Sequence, residues 1–225
     1  MKRRILGIIT VATAVTLLSA GIAQARTVVL LVHGGGWAGG NPETMNSLRD
    51  DLQARGVSAK TITYKVDSGH IPTELSNVRR TVRTEKRKGN RVVLYGTSAG
   101  AQLSAALAAR GEADGAVIVC PPTDLPAWQP EFNGARSAFD WASFGMTEQE
   151  VYSMSPINRL TKKAAPTLIL HGDADAVVPI EQGRDYYRKA RDIQKDTKFI
   201  TMPGVRHEYP SEYWPRATAW IKNRV

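Results

Sequence analysis

The clearest chemistry in this chain begins at Gly96-Thr97-Ser98-Ala99-Gly100, which follows an apolar run ending at Tyr95 and opens an alanine-rich stretch. A serine on a sharp strand-to-helix turn is forced into a strained backbone conformation. The positions two before and two after it must be small so that strand and helix can approach. Such a turn lifts the Ser98 hydroxyl clear of the sheet and leaves the Ala99 amide at a helix N-terminus, where an oxyanion can be held. The bland alternative is a turn of small residues without chemistry, and the strand-turn-helix context favours catalysis over it. Upstream, His33-Gly34-Gly35-Gly36-Trp37 closes another apolar run. Three glycines let backbone amides approach a substrate oxygen that side chains would block. No Lys-Ser/Thr follows, as a phosphate-binding loop would need. Trp37 either lines an acyl pocket or seals the core.

Two further segments supply an acid and a base. His171-Gly172-Asp173-Ala174-Asp175 precedes Val178-Pro179, and His207 lies in Gly204-Val205-Arg206-His207-Glu208 before the last helical pattern. A carboxylate there can hold an imidazole in the right tautomer and stabilise its cation. Asp173 and Asp175 compete for that role, Asp173 sitting closer to the strand end, where it can instead cap the local turn. The order of serine, acid and late histidine makes His207 the candidate base. His33 is then a structural residue that orients the glycine loop.

These residues need a frame, and the chain shows one in alternating strand and helix patterns, the signature of βαβ units and a mostly parallel sheet. Strands are expected at Thr27–His33, Lys60–Tyr64, Arg91–Tyr95, Ala116–Cys120, Thr167–His171 and Lys198–Met202. Their continuous apolar runs suit burial on both faces. Helices are expected at Pro42–Ala54, with Asn41 as cap, and at Ile71–Lys88, Ser98–Arg110, Ile180–Ile193 and Pro210–Asn223. Ser98–Arg110 is apolar nearly all round, as a centrally buried helix is. Residues Pro121–Lys163 break the rhythm with five prolines and several aromatics, a long connection of the kind that is usually functional or a lid.

The composition narrows the class. The 225 residues are 42% hydrophobic and 23% charged, neither the balance of a disordered chain nor that of a polytopic membrane protein. Cys120 is the single cysteine and the four histidines are scattered, so no disulfide framework, metal site or cofactor is expected. Met1–Ala25 opens with Lys2, Arg3 and Arg4, continues through apolar Ile5–Leu18 and ends in Ala23-Gln24-Ala25, the pattern of a cleavable secretory signal. Residues 1–25 are therefore expected to be a leader, leaving 26–225 as one domain of a secreted or periplasmic protein without stable membrane insertion. The net charge of +9 raises polyanion binding. The basic cluster from Arg79 to Lys88, however, lies opposite the stripe of Leu75, Val78 and Val82 and has no interleaved aromatics for base stacking, so a solvated face is the default and no nucleic acid is expected.

With those pieces assembled, the chain resembles the α/β-hydrolase superfamily, and within it the small esterases and lipases with an HGGGW loop, from Val28 to Ile221. The resemblance implies an α/β-hydrolase fold: a mostly parallel central sheet flanked by helices on both faces, with a short lid-like excursion. It implies that Ser98 is the nucleophile, that the acid of the H-G-x-x-D-x-x-V-P pattern is Asp175, not Asp173, and that His207 is the base. It places the oxyanion donors at amides of Gly35, Gly36, Trp37 and Ala99. Tyr64 and the segment to Asn77-Val78 match a tyrosine-bearing strand end and the helix after it, with Asn77 where aspartate is common. At about 200 residues without the leader, the domain is short for this fold, so the first antiparallel strands are expected to be absent or reduced.

The reaction expected is two-step acyl transfer: Ser98 attacks an ester carbonyl while His207 takes its proton, and His207 then protonates the leaving alcohol and activates water. The small excursion favours short-chain or polar esters. Trp128, Phe132, Phe139, Trp141 and Phe144 in it either stack on sugar or feruloyl-type rings of a carbohydrate-linked ester or pack the excursion onto the body. Amidase or thioesterase activity uses the same machinery, and a polyanion-binding scaffold is the rival without catalysis.

Overall fold

The computed structural model describes residues 25–66, 70–132 and 135–224, so the expected leader lies outside the described residues but for Ala25. Six strands form one parallel sheet: β1 (Thr27–Val32), β2 (Ala59–Thr61), β3 (Arg91–Thr97), β4 (Gly115–Val119), β7 (Thr167–Gly172) and β8 (Lys198–Met202), in the order β2-β1-β3-β4-β7-β8. The central strands are buried along nearly their whole length, and largely apolar, because both faces are covered. Leu30, Val32, Val92, Leu94, Ile118 and Ile169 pack on one side with α2 (Ile71–Arg87), α3 (Ala99–Ala108) and α6 (Ile180–Ile193). Their strand neighbours Val29, Leu31, Val93, Tyr95, Val117 and Leu168 face α1 (Asn46–Ala54) and α7 (Trp214–Lys222).

The chain runs from β1 outward to β2, then returns across β1 to β3 and continues the other way. The strand order therefore reverses between β1 and β3, and loops leaving their carboxyl ends diverge and open a crevice there. The glycine loop follows β1, and Ser98 follows β3.

Several elements differ from the sequence expectation. The second strand ends at Thr61, not Tyr64. The Ile62 amide still donates to the Leu31 carbonyl, and the edge then turns so that the Tyr64 hydroxyl donates to the His33 carbonyl at 2.7 Å. The helices expected from Pro42 and Pro210 begin as 3-10 turns, Pro42–Met45 and Ser211–Tyr213, before α1 and α7. The excursion is partly regular: a hairpin of β5 (Glu131–Phe132) and β6 (Ala135–Arg136), then a 3-10 turn at Ala142–Phe144, α4 (Glu148–Met154) and α5 (Pro156–Arg159). Thr147 and Glu150 form a reciprocal capping box that starts α4.

Candidate active site

Ser98 has φ +52° and ψ −120°, a conformation side chains rarely adopt. Its flanking glycines explain how the turn is tolerated. A Cβ on Gly96 would lie 2.2 Å from the Gly100 carbonyl oxygen, and one on Gly100 would lie 2.2 Å from the Val32 oxygen. Only bare backbone permits that approach of β3, α3 and β1. All of α3 is buried, so the turn is clamped from behind.

Three sequence-predicted residues meet at this turn. The Ser98 hydroxyl lies 2.9 Å from His207 Nε2, and His207 Nδ1 lies 2.8 Å from Asp175 Oδ2. The carboxylate partner makes Nδ1 the protonated nitrogen, leaving Nε2 as acceptor for the serine hydroxyl. Asp175 Oδ1 accepts the amides of Val177 at 3.0 Å and Val178 at 2.8 Å. Burial alone would push the Asp175 carboxyl up. The hydrogen bond and charge of His207, the Val178 amide and nearby His171 outweigh it and hold the group below the usual carboxylate range. Asp173 does something else: its exposed carboxylate accepts the Gly204 amide at 2.7 Å, tying the acid loop to the loop that carries His207. Gly172 makes that meeting possible, since a Cβ there would sit 2.1 Å from the Val205 oxygen.

The glycine loop turns through left-handed conformations, φ +127° at Gly35, +60° at Gly36 and +59° at Trp37. The Gly35 carbonyl accepts the Gly39 amide, whereas no described hydrogen bond outside the helices and strands uses the amides of Gly35, Gly36, Trp37 or Ala99. Gly35, Gly36 and Trp37 line the cleft beside Ser98, and a Cβ on Gly36 would meet nothing. Trp37 both lines the cleft and is buried, its indole N–H donating to Gln102 Oε1 at 3.0 Å. His33 is buried and stacks on Tyr64 with ring centroids 4.3 Å apart, and its Nδ1–H donates to the Gly34 carbonyl. It is far from being a free base: burial lowers its pKa, only partly offset by that carbonyl.

A cleft of about 580 Å³ opens over Ser98 and His207. One wall is the excursion, with Trp128, Phe139 and Phe144. Trp128 donates to the Val177 carbonyl at 2.8 Å, joining the excursion to the acid loop. Trp128, Phe139 and Trp141 pack against one another, so the aromatics both line the cleft and anchor the excursion; the Phe132 side chain lies outside those described. Sequence reasoning missed the opposite wall, Thr44, Met45, Leu48, Tyr209 and Trp214. These come from α1, α7 and their approaches, and only the tertiary fold brings them over β3.

Among the described residues, one group has metal-ligand types in reach of one another: Cys120, His171 and Asp175, buried within 4.8 Å. Its donors are only partly engaged, since His171 Nδ1 is buried without a hydrogen-bond partner among the described residues. His171 Nε2–H donates to the Val178 carbonyl at 2.8 Å, and burial lowers its pKa, partly offset by that carbonyl and the nearby Asp175 charge. Burial and the Asp175 charge push the Cys120 thiol up, so it stays protonated. The basic helix is largely neutralised on one flank: Arg79 makes a two-pronged contact with Glu112, and Lys86 pairs with Asp114. No helix among the described residues is long and apolar enough to cross a membrane.

Comparison with known proteins follows the same lines. The BD-FAE family model matches residues 17–190. Esterase LipC of Mycobacterium tuberculosis is 26% identical over 213 residues, 81% of this chain and 53% of that protein. The chain thus spans about half the length of LipC, and 11% of the acylamino-acid-releasing enzyme of Arabidopsis thaliana, which is 32% identical over 93 residues, 38% of this chain. Its fold matches that of the acetyl ester-xyloside bifunctional hydrolase of Caldicellulosiruptor lactoaceticus, with a TM-score of 0.71 at 18% identity, over 89% of this chain and 84% of that one. A thermophilic esterase of Thermogutta terrifontis gives 0.71 at 19% identity, over 88% and 82%. A doubly covered parallel sheet, a serine turn at its strand reversal and a family match across most of the chain agree: this protein belongs to the BD-FAE family, within the α/β-hydrolase esterase and lipase group.

Proposed function

We propose that this protein is a serine hydrolase that cleaves short-chain or carbohydrate-linked carboxylic esters through an acyl-enzyme. The observation that carries the reading is the hydrogen-bonded chain from Asp175 through His207 to Ser98, at 2.8 and 2.9 Å. As Ser98 Oγ attacks the carbonyl carbon, its proton passes to His207 Nε2 while Asp175 stabilises the forming imidazolium. The carbonyl oxygen becomes an oxyanion held by the Ala99 amide and an amide of Gly35, Gly36 or Trp37; losing one such donor costs on the order of 10²–10³ in turnover. His207 then gives its proton to the departing alcohol, and water, deprotonated by the same nitrogen, releases the acid. The cleft, lined by Trp128 and Phe139, suits a short acyl group or an aromatic one packed against those rings. The engaged Arg79 and Lys86 weigh against a polyanion-binding scaffold.

Hydrolysis of p-nitrophenyl acetate, butyrate, octanoate and a feruloyl ester by the wild type, abolished in Ser98→Ala, is the expected result. Turnover that survives in Ser98→Ala would reject the mechanism, and Ser98-dependent cleavage of amides alone would move the assignment to an amidase. Export is inferred from the leader pattern of residues 1–25, with 26–225 as a single domain. N-terminal sequencing of the mature protein should begin at Arg26.

A further inference from the structure

The net charge of +9 is not spread evenly over the fold. All six strands of the sheet run the same way, so the residues that open them share one edge of the molecule, and the helices that run back from the strand ends finish there too. Contacts join these segments into one face. The Arg91 amide donates to the Arg26 carbonyl at 3.0 Å, Gly111 abuts the Lys163 carbonyl, and the Gln194 side chain donates to the Ala164 carbonyl at 3.1 Å. The carboxylates at this edge are already taken: Glu85 pairs with Lys60 and Lys88, Glu112 with Arg79, Asp114 with Lys86, Asp192 with Arg191 and Asp196 with Arg224. Cations are left over. Arg26, Arg91, Arg110, Lys163, Lys195 and Lys198 are exposed and make no ion pair with the described residues. Arg26 and Lys198 open strands four spacings apart, so this positive strip is about 20 Å long. The opposite edge, which carries Ser98, has the other sign. Glu43, Asp140, Glu148, Asp173, Glu208 and Glu212 are exposed there and outnumber the cations set among them, Lys65, Arg206 and Arg216.

We propose that the amino edge of the sheet docks on an anionic phospholipid bilayer, holding the protein at the membrane surface with the catalytic cleft turned to the water. Three observations select this partner. The strip is positive with its own acids neutralised, and the cleft edge is negative, so the field of the protein both draws it to an anionic plane and turns it there. Ile193 is one of two exposed large apolar side chains among the described residues, and it ends α6 close to Lys195. An apolar side chain among cations suits the boundary between headgroups and acyl chains, whereas a dissolved polyanion offers it nothing. Arg26 enters the domain at this face, immediately before β1, so the basic and apolar stretch of residues 1–25 joins the fold from the side that meets the bilayer. The pairs that occupy Arg79 and Lys86 leave the strip free. The inference stands apart from the acyl-transfer reading, because the strip lies at the far end of the strands from Ser98.

The test is flotation of the exported protein with vesicles of equimolar phosphatidylglycerol and phosphatidylcholine, and with vesicles of phosphatidylcholine alone. At about 0.15 M ionic strength the protein should float with the anionic vesicles only, and about 1 M salt should release it, because the Debye length shrinks from about 8 to about 3 Å. Lys163→Gln, Lys195→Gln and Lys198→Gln should each lower the partition coefficient about fivefold, the worth of one cation near such a surface. Ile193→Ser leaves the charge unchanged and should also lower it about fivefold, as loss of one partly buried aliphatic side chain does. All four variants should melt near wild type, and all keep the same N-terminus, so any leader left uncleaved adds equally to each. Equal binding to both kinds of vesicle, or binding that the three lysine substitutions leave unchanged, overturns the proposal. So does binding to soluble polyphosphate that matches vesicle binding in strength while Ile193→Ser changes neither, which would assign the strip to a dissolved polyanion. Hydrolysis of p-nitrophenyl acetate should run at the same rate bound and free; a bound enzyme that loses it has its cleft against the lipid, which refutes the orientation.

Discussion

Glu74 offers the sharpest quantitative prediction. It lies in the first turn of α2, fully buried beside Ile71, Leu75 and Val78, and neither carboxyl oxygen has a hydrogen-bond partner. Burial raises its pKa from 4.5 to about 8. Below 4.5 both folded and unfolded states bind the proton. Between 4.5 and about 8 the unfolded chain releases it while the folded chain keeps it, so stability falls as pH rises; above about 8 both have released it and the loss is complete. At about 1.4 kcal/mol per pH unit, the full loss is about 5 kcal/mol, comparable to the whole stability of many domains. Glu74→Gln keeps the shape and cannot ionise. In urea unfolding at unit pH steps, the stability of Glu74→Gln minus that of wild type should therefore be flat below 4.5, climb through the window and level off above about 8. Taking the difference cancels every other titrating group. A difference that stays constant across the window would refute the reasoning, because it would mean that the Glu74 carboxyl finds a partner or water that the packing denies it. Glu74→Leu, which also removes the unpaired oxygens, should add a gain that does not vary with pH.

Asp175→Asn should leave the melting temperature near wild type and lower kcat on the order of 10⁴, because the amide can hold His207 in the wrong tautomer; a loss below tenfold would mean that Asp175 does not orient the base. Gly100→Ala should be destabilising by more than about 4 kcal/mol, the exceptional range for one substitution, since its Cβ meets the Val32 and His33 carbonyl oxygens at 2.2 and 2.3 Å; a calorimetric melt within a few degrees of wild type would contradict the clamp. Gln102→Ala strips the Trp37 indole N–H of its acceptor and should cost about 1–3 kcal/mol, with a raised KM as the glycine loop loosens; denaturant unfolding and steady-state kinetics check the two parts separately.

What the sequence made legible were the features that local sterics and period dictate. The six apolar runs became strands because both faces of a parallel sheet are covered, and Gly96 and Gly100 bracket Ser98 because no side chain fits there. The choice between Asp173 and Asp175 was not local. Both carboxylates sit in one loop, and what separates them is the Gly204 amide that one accepts and the His207 imidazole that the other accepts, each arriving from the strand after. The same holds for Tyr209 and Trp214, whose place over the cleft depends on α7 folding back across the sheet; Glu74, by contrast, sits at a position that the helical period of Ile71, Leu75 and Val78 turns inward, where its carboxylate is the unexpected feature.

The excursion then sets what the cleft can select. It is held to the body by side-chain contacts to backbone: Trp128 to Val177, Gln182 to the amides of Thr123 and Asp124, and Gln102 to the Met154 carbonyl. Gln182 and Gln102 are buried, so loosening either contact would strand a polar group in the core, which makes a wide opening of the excursion costly. A fixed wall cannot widen for a long acyl chain. Selectivity in this protein should therefore come from the shape already present beside Phe139, and substitutions that free the wall, Gln182→Ala above all, should broaden the range of acyl lengths accepted while lowering stability. Acyl-length profiles that keep their shape in Gln182→Ala, despite a lowered melting temperature, would show that the wall does not set the range.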